Sequence, residues 1–175
     1  MDLKEYIRSI PDYPKKGILF RDITTLIKNE KAFTYCIDQI VEKSKQFDFN
    51  KIAAVESRGF VFASAVSYIL NKPFILLRKK NKLPAETHSV DFKLEYGTAT
   101  IEMHKDSINK NDSVIVIDDL IATGGTAEAA AKLIKISEGK VAGFIFVINL
   151  FDLGGCDKLI KQDHKVENLI NFPGH

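Results

Sequence analysis

The sequence predicts a single α/β domain built on a twisted, mostly parallel sheet with helices on both faces. Apolar segments typical of strands alternate with segments of helical periodicity, which is the pattern of βαβ units. Two of these strand segments, residues 113–118 and 141–150, are almost continuously apolar, as strands covered on both faces are. The chain has 175 residues, 45% hydrophobic and 27% charged, which suits one ordinary globular domain.

The amino-terminal segments come first. Residues 1–10 carry charge in every turn and predict a short amphipathic helix. Residues 11–27 contain Pro11, Pro14 and Gly17 and predict irregular chain laid over the surface. A helix is expected from about Glu30 to Phe47.

The middle of the chain predicts two strands, a helix and an excursion. A strand over residues 51–56 is followed by a turn at 57–59, a helix over 60–70 and a second strand over 73–78. Residues 83–103 predict a proline-led loop and a hairpin with its turn at Tyr96-Gly97. Within an α/β domain such an excursion is often a lid.

The last part of the chain predicts the centre of the sheet. A strand over residues 113–118 precedes a helix over 126–138, which is expected to end at Gly139 as its C′ glycine. A strand over 141–150 follows, and the remaining residues are expected only to close the fold.

Composition excludes several classes of function. The net charge of +2, from 25 Lys and Arg against 23 Asp and Glu, gives no global reason to expect a nucleic-acid partner. Cys36 and Cys156 lack the spacing of a zinc site and fit a reducing compartment. The charged amino terminus is unlike a signal peptide, and the longest apolar run is far short of the ~20 residues that span a bilayer. We therefore expect a cytoplasmic protein that inserts into no membrane.

The segment VIVIDDLIATGGT, residues 114–126, predicts a binding site for a sugar phosphate. An apolar strand places Asp118 and Asp119 at its carboxyl end, where ligands bind in open α/β sheets. The following residues open a helix with a glycine-rich cradle for phosphate: Ala122, Thr123, Gly124, Gly125 and Thr126. Without the lysine of a Walker A loop or a GxGxxG motif, the cradle suits a terminal monophosphate, and the two acids suit ribose hydroxyls or Mg²⁺.

A purely structural interpretation of this motif is an N-capping Asp118 before a tight glycine turn. Two adjacent buried carboxylates would then be costly without cationic partners, which disfavours that interpretation. The motif therefore points to a ribose 5-phosphate ligand.

The same motif resembles the phosphoribosyl pyrophosphate (PRPP) binding motif of the type I phosphoribosyltransferases. Four other blocks resemble, in the same order, the branch of that family that acts on adenine, and together they cover the chain from about Ile10 to Leu153. These blocks are GILFRD at 17–22, ESRGF at 56–60, RKKNKLP at 78–84 and LEYG at 94–97.

The resemblance implies a type I phosphoribosyltransferase fold within one domain, residues 1–175. Residues from about 1 to 30 would form a hood over the base, and residues from about 79 to 103 a flexible hairpin lid. The implied reaction transfers the 5-phosphoribosyl group of PRPP to N9 of adenine, giving AMP and diphosphate, with Mg²⁺ bound mainly through PRPP. A homodimer is implied, with Arg78 contributed across its interface.

The resemblance also assigns roles to residues. Asp118 and Asp119 would hold the ribose hydroxyls, and Glu95 would be the general acid/base at N9, beneath a lid that includes Tyr96. Arg58 would join these three as the fourth catalytic residue. Diphosphate binding is implied for Glu56, Ser57, Arg58, Gly59, Arg78, Lys79 and Lys82. Adenine binding is implied for Leu19, Phe20, Arg21 and Leu120, with the base between Phe20 and Leu120.

Simpler interpretations of these residues stay open from the residues alone. Arg58 is also explained as a surface residue after a strand, Phe20 as core packing, Glu95 as an exposed turn carboxylate and residues 78–82 as a solvated basic turn.

Two other functions also stay open. One is a phosphoribosyltransferase for a 6-oxopurine, and the other is a non-catalytic PRPP-sensing regulator that binds nucleic acid. The near-neutral charge, the lack of a helix-turn-helix and the Glu95-Tyr96 pair count against the regulator.

Overall fold

The computed structural model of the chain describes residues 1–93 and 97–174. Its strands are β1 (Arg8–Pro11), β2 (Leu19–Asp22), β3 (Lys51–Val55), β4 (Phe74–Lys79), β5 (Thr87–Lys93), β6 (Thr98–His104), β7 (Ser113–Ile121), β8 (Lys140–Leu150) and β9 (Val166–Phe172). Its α-helices are α1 (Thr24–Ile27), α2 (Glu30–Ser44), α3 (Arg58–Leu70), α4 (Gly125–Ile136) and α5 (Gly155–Ile160), and two 3₁₀ turns span Leu3–Tyr6 and Phe151–Leu153.

Seven of the strands form one sheet in the order β5-β6-β4-β3-β7-β8-β9. The five strands from β4 to β9 in that order are parallel, and the β5-β6 hairpin adds two antiparallel strands at the β4 edge. The predicted mostly parallel sheet is therefore confirmed. The predicted hairpin is confirmed as well, while Tyr96 of its predicted turn lies outside the described residues.

The sheet separates two hydrophobic cores. Alternate residues of β3 face opposite sides, so Ile52 and Ala54 enter one core and Ala53 and Val55 the other. The first core packs α2 and α3 against the sheet and the second packs α4 against its other face. Helices on both faces were predicted and are confirmed.

The amino-terminal region differs from the prediction. The expected amphipathic helix is only the 3₁₀ turn Leu3–Tyr6, and the region expected to be irregular contains β2, which pairs antiparallel with β1 in a separate two-stranded sheet. The pairing brings Arg8 opposite Asp22, and their side chains form an ion pair at 2.5 Å. Strands of four residues are too short for their alternation to be recognised in sequence, so a contact between distant residues decides this element.

The end of α4 also differs from the prediction. The left-handed position after the helix belongs to Glu138, with φ of 61°, and Gly139 follows it and donates its N–H to the Ile134 carbonyl at 3.0 Å. A Cβ atom on Gly139 would lie 2.8 Å from Cγ2 of Ile108. Gly139 is therefore needed for close packing rather than for a positive φ.

The carboxyl-terminal residues extend the sheet. The sequence predicted no element there, but α5 and β9 follow β8, and β9 pairs with β8 in parallel from Phe144↔Val166 to Leu150↔Phe172. Among the described helices, none combines the length and apolar character needed to cross a bilayer.

Candidate active site

The main cavity lies at the carboxyl ends of β3 and β7 and has a volume of about 980 Å³. This edge is where open parallel sheets bind ligands, because the loops after neighbouring strands diverge there. Predicted site residues that line it are Phe20, Glu56, Ser57, Arg58, Lys79, Asp118, Asp119, Leu120, Ala122, Thr123, Gly124, Gly125 and Thr126. The structure thus brings together residues that are as much as 106 positions apart (Phe20 and Thr126).

Two adjacent carboxylates, Asp118 and Asp119, line this cavity. Asp119 is only 4% exposed, and its Oδ2 lies 2.9 Å from Nε of Arg58. The Asp118 Oδ1 atom accepts a hydrogen bond from the Asp119 backbone N–H at 2.9 Å. Burial, and next the charge of Asp119, raise the pKa of Asp118 well above its ordinary value. Burial also raises the pKa of Asp119, against the opposing effect of Arg58. A ligand that supplies hydroxyl donors or positive charge would relieve this pair.

Gly59 allows α3 to approach the carboxylates. A Cβ atom on Gly59 would lie 2.6 Å from Oδ1 of Asp118, closer than real Cβ contacts allow. Ser57 and Arg58 at the start of α3 line the same cavity, and the Ser57 hydroxyl makes no capping hydrogen bond to the helix. The first N–H groups of a helix lack intrahelical acceptors, so the amino terminus of α3 presents donors and partial positive charge toward the cavity.

The glycine-rich segment forms a second helix start in the same cavity. Gly124 has φ of +85° and precedes α4, and Gly125 to Ala127 line the cavity. A Cβ atom on Gly125 would lie 2.7 Å from the Lys93 carbonyl, so β5 closes against this loop. The arrangement is a typical anion-binding helix amino terminus.

The Glu56–Ser57 peptide bond is cis. One carboxylate oxygen of Glu56 is engaged within the protein: its Oε1 accepts the Lys79 backbone N–H at 2.5 Å and lies 3.4 Å from Nε of Arg78. Glu56 therefore ties the α3 loop to the basic segment of residues 78–82.

The basic segment of residues 78–82 begins at the end of β4. The predicted strand over 73–78 contains Arg78, and β4 extends one residue further, to Lys79, pairing with β6 through Arg78↔Glu102 and Lys79↔Ile101. Lys79 lines the main cavity. Arg78 instead donates from Nη1 to the carbonyl of exposed Lys82 at 3.2 Å, and neither of these two lines the main cavity.

A smaller cavity of about 370 Å³ adjoins the main one and contains the predicted base-binding residues. Leu19, Phe20, Arg21 and Leu120 all line it. Phe20, Leu120 and Arg58 line both cavities, and the Arg58 guanidinium carbon lies 5.2 Å from the centre of the Phe20 ring. Arg58 thus contacts an acid of the main cavity and an aromatic ring of the smaller one.

Two predicted residues, Glu95 and Tyr96, lie outside the described residues. Three residues with polar side chains that line the main cavity were missed from the sequence: Tyr13, Lys15 and Lys93. The available signals were the Lys15-Lys16 pair between Pro14 and Gly17, and the position of Lys93 directly before the LEYG block.

The side chains of this site give little support for a metal ion held by protein ligands alone. Within residues 1–93 and 97–174, no group of three or more His, Cys, Asp or Glu side chains is placed to hold a metal ion. Asp118 and Asp119 offer two carboxylates, one of them paired with Arg58. This donor set fits a Mg²⁺ ion that takes most of its ligands from a bound phosphate compound.

Comparison with known proteins shows the family to which this chain belongs. The family model of the phosphoribosyl transferase domain matches residues 23–172. An adenine phosphoribosyltransferase from Pelagibacter ubique is 75% identical over 175 residues, covering 100% of both chains.

Solved structures give the same result. The adenine phosphoribosyltransferase from Thermoanaerobacter pseudethanolicus superposes with a TM-score of 0.93 at 45% identity, covering 97% of this chain and 98% of that one. The Saccharomyces cerevisiae enzyme, solved with adenine and an imino-altritol bisphosphate, has a TM-score of 0.88 at 34% identity, covering 96% of each chain. The chain therefore belongs to the phosphoribosyltransferase family, within its adenine phosphoribosyltransferase branch.

Proposed function

We propose that this protein transfers the 5-phosphoribosyl group from PRPP to N9 of adenine, producing AMP and diphosphate. The observation that carries the proposal is the pair of helix amino termini, α3 and α4, that flank the Asp118–Asp119 pair in one cavity. PRPP has a monophosphate on C5 and a diphosphate on C1 of its ribose, so its two anionic ends match the two helix starts and its hydroxyls match the acids. The adjoining cavity, which Phe20 and Leu120 line, supplies apolar surface for the faces of a purine.

Within this proposal the glycine-rich segment of residues 122–126 binds the 5-phosphate. Asp118 and Asp119 accept hydrogen bonds from the ribose hydroxyls and offset the positive charge that develops on the sugar as its C1–O bond breaks. Glu95 receives the proton that N9 of adenine gives up, beneath the lid that includes Tyr96. Catalysis is then mostly positioning and electrostatic stabilisation.

The departing diphosphate is bound at the other end of the cavity. The Arg58 guanidinium and the Lys79 ammonium group line the cavity beside the start of α3 and stabilise the negative charge of the departing diphosphate. Ser57 and the backbone at Gly59 add donors at that helix start. The Glu56 carboxylate holds Lys79 in place by accepting a hydrogen bond from the Lys79 backbone N–H.

Adenine lies between Phe20 and Leu120, with the Leu19 backbone at its polar edge and the Arg21 side chain lining the same cavity. Mg²⁺ binds mainly through the oxygens of PRPP, because the described acidic residues do not form a cluster that would hold it alone. When bound, the ion neutralises diphosphate charge and favours its departure.

We propose further that two copies of the chain form a homodimer, in which Arg78 serves the partner's diphosphate site, and that Lys82 also binds diphosphate. The support is an exposed apolar surface on α3 and β4, where Tyr68 is 88%, Ile69 51% and Leu76 41% exposed, next to an Arg78 that does not line its own cavity. A Tyr68→Asp variant is expected to sediment as a monomer with much reduced turnover. A variant that stays dimeric and active would place the interface elsewhere.

The remaining proposals concern organisation and location. Residues 1–175 form one domain, with the hood at about 1–30 and the lid at about 79–103. The protein acts in the cytoplasm, which agrees with Cys36 and Cys156 both being free thiols.

The experiment that tests the function measures conversion of radiolabelled adenine to AMP, with and without PRPP and Mg²⁺. Parallel assays with hypoxanthine, guanine and xanthine test the alternative of a 6-oxopurine substrate. We expect AMP formation that requires both PRPP and the metal. Equal or better turnover of a 6-oxopurine would overturn the adenine assignment.

A further inference from the structure

The carboxyl-terminal segment of the chain reaches the smaller cavity. β9 runs parallel to β8 and so delivers the following residues to the same edge of the sheet as the active site. Gly174 lines the smaller cavity together with Leu19, Phe20 and Leu120. Residues from the two ends of the chain thus enclose one cavity.

Two hydrogen bonds fasten this segment. Nη2 of Arg21 donates to the Pro173 carbonyl at 2.8 Å, and the Gly174 backbone N–H donates to Oδ1 of Asp152 at 2.6 Å. The Arg21 guanidinium carbon also lies 4.5 Å from the centre of the Phe172 ring. A Cβ atom on Gly174 would lie 2.7 Å from Cγ of Leu153, so the segment is closely fitted.

Both terminal nitrogens of Arg21 donate hydrogen bonds within the protein. Arg21 is only 6% exposed, its Nη1 donates to the Ser9 hydroxyl, and its buried Nε has no hydrogen-bond partner among the described residues. A buried guanidinium is costly unless its charge and donors are compensated. Here that compensation comes from Ser9 on β1, the Pro173 carbonyl, the Phe172 ring and the negative charge of Asp152, so Arg21 joins the hood to the carboxyl-terminal segment.

We propose that residues 172–174 form a wall of the base subsite and that Arg21 is a positioning residue that acts through Pro173. This inference rests on the proposed function, since it concerns the adenine subsite of that reaction. The wall selects and orients the base. The PRPP subsite lies in the main cavity around α3 and α4, so it does not depend on the wall. Loss of the wall therefore raises KM for adenine and not KM for PRPP.

The test compares four variants with the wild type: a chain that ends at Phe172, Arg21→Met, both changes together and Asp152→Ala. Asp152 is exposed, so its substitution removes one fastening with little risk to folding. Asp157→Ala is the matched control, because Asp157 is an exposed acid of α5 that lines neither cavity. Steady-state assays give KM for adenine and KM for PRPP separately, and circular dichroism checks the fold.

We expect the shortened chain to raise KM for adenine about tenfold or more. The shortening removes the hydrogen bond between charged Arg21 and the Pro173 carbonyl, and a bond to a charged group has about that effect. KM for PRPP should stay within about twofold, and Asp152→Ala should raise KM for adenine by a smaller factor in the same direction. The double variant should be no worse than the more affected single variant, because Arg21 acts through the segment that is removed.

Additive effects of Arg21→Met and the shortened chain would overturn the positioning role, since Arg21 would then contact the base directly. Unchanged KM for adenine in both Asp152→Ala and the shortened chain would overturn the wall. If the wild type does not convert adenine to AMP, the proposed function fails and this inference fails with it.

Discussion

The fold disfavours the ionised forms of Asp118 and Asp119, the two carboxylates that the proposed reaction uses at the ribose. Both lie at the end of β7, within a cavity that also receives two helix amino termini. Burial raises the pKa of each carboxyl group, so at neutral pH the ionised forms lower the stability of the folded state. Groups held in this way are typical of functional sites.

Substituting Asp118 by Asn should stabilise the protein and inactivate it. Because the folded-state pKa lies above the unfolded-state value, wild-type stability falls as the pH rises between these two values, and the variant avoids that loss. We expect a gain of about 1–2 kcal/mol in the free energy of unfolding at pH 7, with turnover lowered by a factor of about 100 or more. Urea unfolding at pH 7 and in acid should show the gain at pH 7 only.

The matched variant is Asp119→Asn, which should gain less. It leaves Arg58 without its carboxylate partner at 2.9 Å, so the relief from burial is offset. Equal gains from both variants would contradict the assigned difference between the two acids.

A second residue-scale prediction concerns Gly59. In Gly59→Ala the new Cβ would lie 2.6 Å from Oδ1 of Asp118, so either α3 or the carboxylate must shift. We expect the variant to lose about 1–3 kcal/mol of stability, as overpacking does, and most of its turnover. Gly17→Ala is a useful contrast, because its Cβ would meet no atom within 4 Å although its φ is +87°. Full turnover in Gly59→Ala would show that this close approach is dispensable.

At the scale of elements, one buried ion pair joins β3 to the turn before β7. Nζ of Lys51 lies 2.8 Å from Oδ2 of Asp112, and the two side chains are 15% and 11% exposed. Asp112 also accepts hydrogen bonds from the Asn50 side chain at 2.8 Å and the Asn109 backbone N–H at 2.7 Å. These contacts hold the two central strands beneath the active site in register.

This pair predicts a stability that is lost in acid. The hydrogen bond from Lys51, more than any other contact, lowers the pKa of Asp112, so its contribution is present above the ordinary aspartate pKa and is lost as the pH falls through the lowered value. Asp112→Asn should cost about 3–5 kcal/mol at neutral pH, because it leaves Lys51 buried without a counter-charge. Chemical denaturation across pH 2–7 should show the two proteins converging in acid. A constant difference over that range would assign the loss to packing alone.

At the scale of the whole molecule, two cores on opposite faces of one sheet should unfold together. Cys36 lies fully buried in the core beneath α2, and burial raises the pKa of its thiol to about 12. Labelling of Cys36 by a thiol reagent at pH 8 should therefore require unfolding and follow the denaturation curve measured by circular dichroism. The control is Cys156→Ser, which removes the less buried thiol, whose pKa is raised to about 11. Rapid labelling of the native protein would show that the α2 side opens independently.

The sequence alone was sufficient for the features that depend on neighbouring residues. The apolar runs of β7 and β8 are long enough to be recognised as buried strands, and residues 114–126 hold a strand, two acids and a helix start within one continuous segment. A local motif of this kind keeps its chemical groups together wherever the segment folds, so the acid pair and the glycine-rich helix start could both be predicted from the sequence.

Tertiary structure alone decided the features made by distant segments. The pairing of β1 with β2 and the addition of β9 were not predicted, because short strands become stable only through partners that a local pattern does not reveal. The pairing of Arg58 with Asp119, the ion pair of Arg78 with Glu56 and the contact of Arg21 with Pro173 likewise depend on how β3, β4, β7 and β9 are ordered in the sheet. Sequence determined which chemical groups this protein carries, and the order of its strands decided which of them meet, because contact across a sheet depends on spatial and not on sequential neighbours.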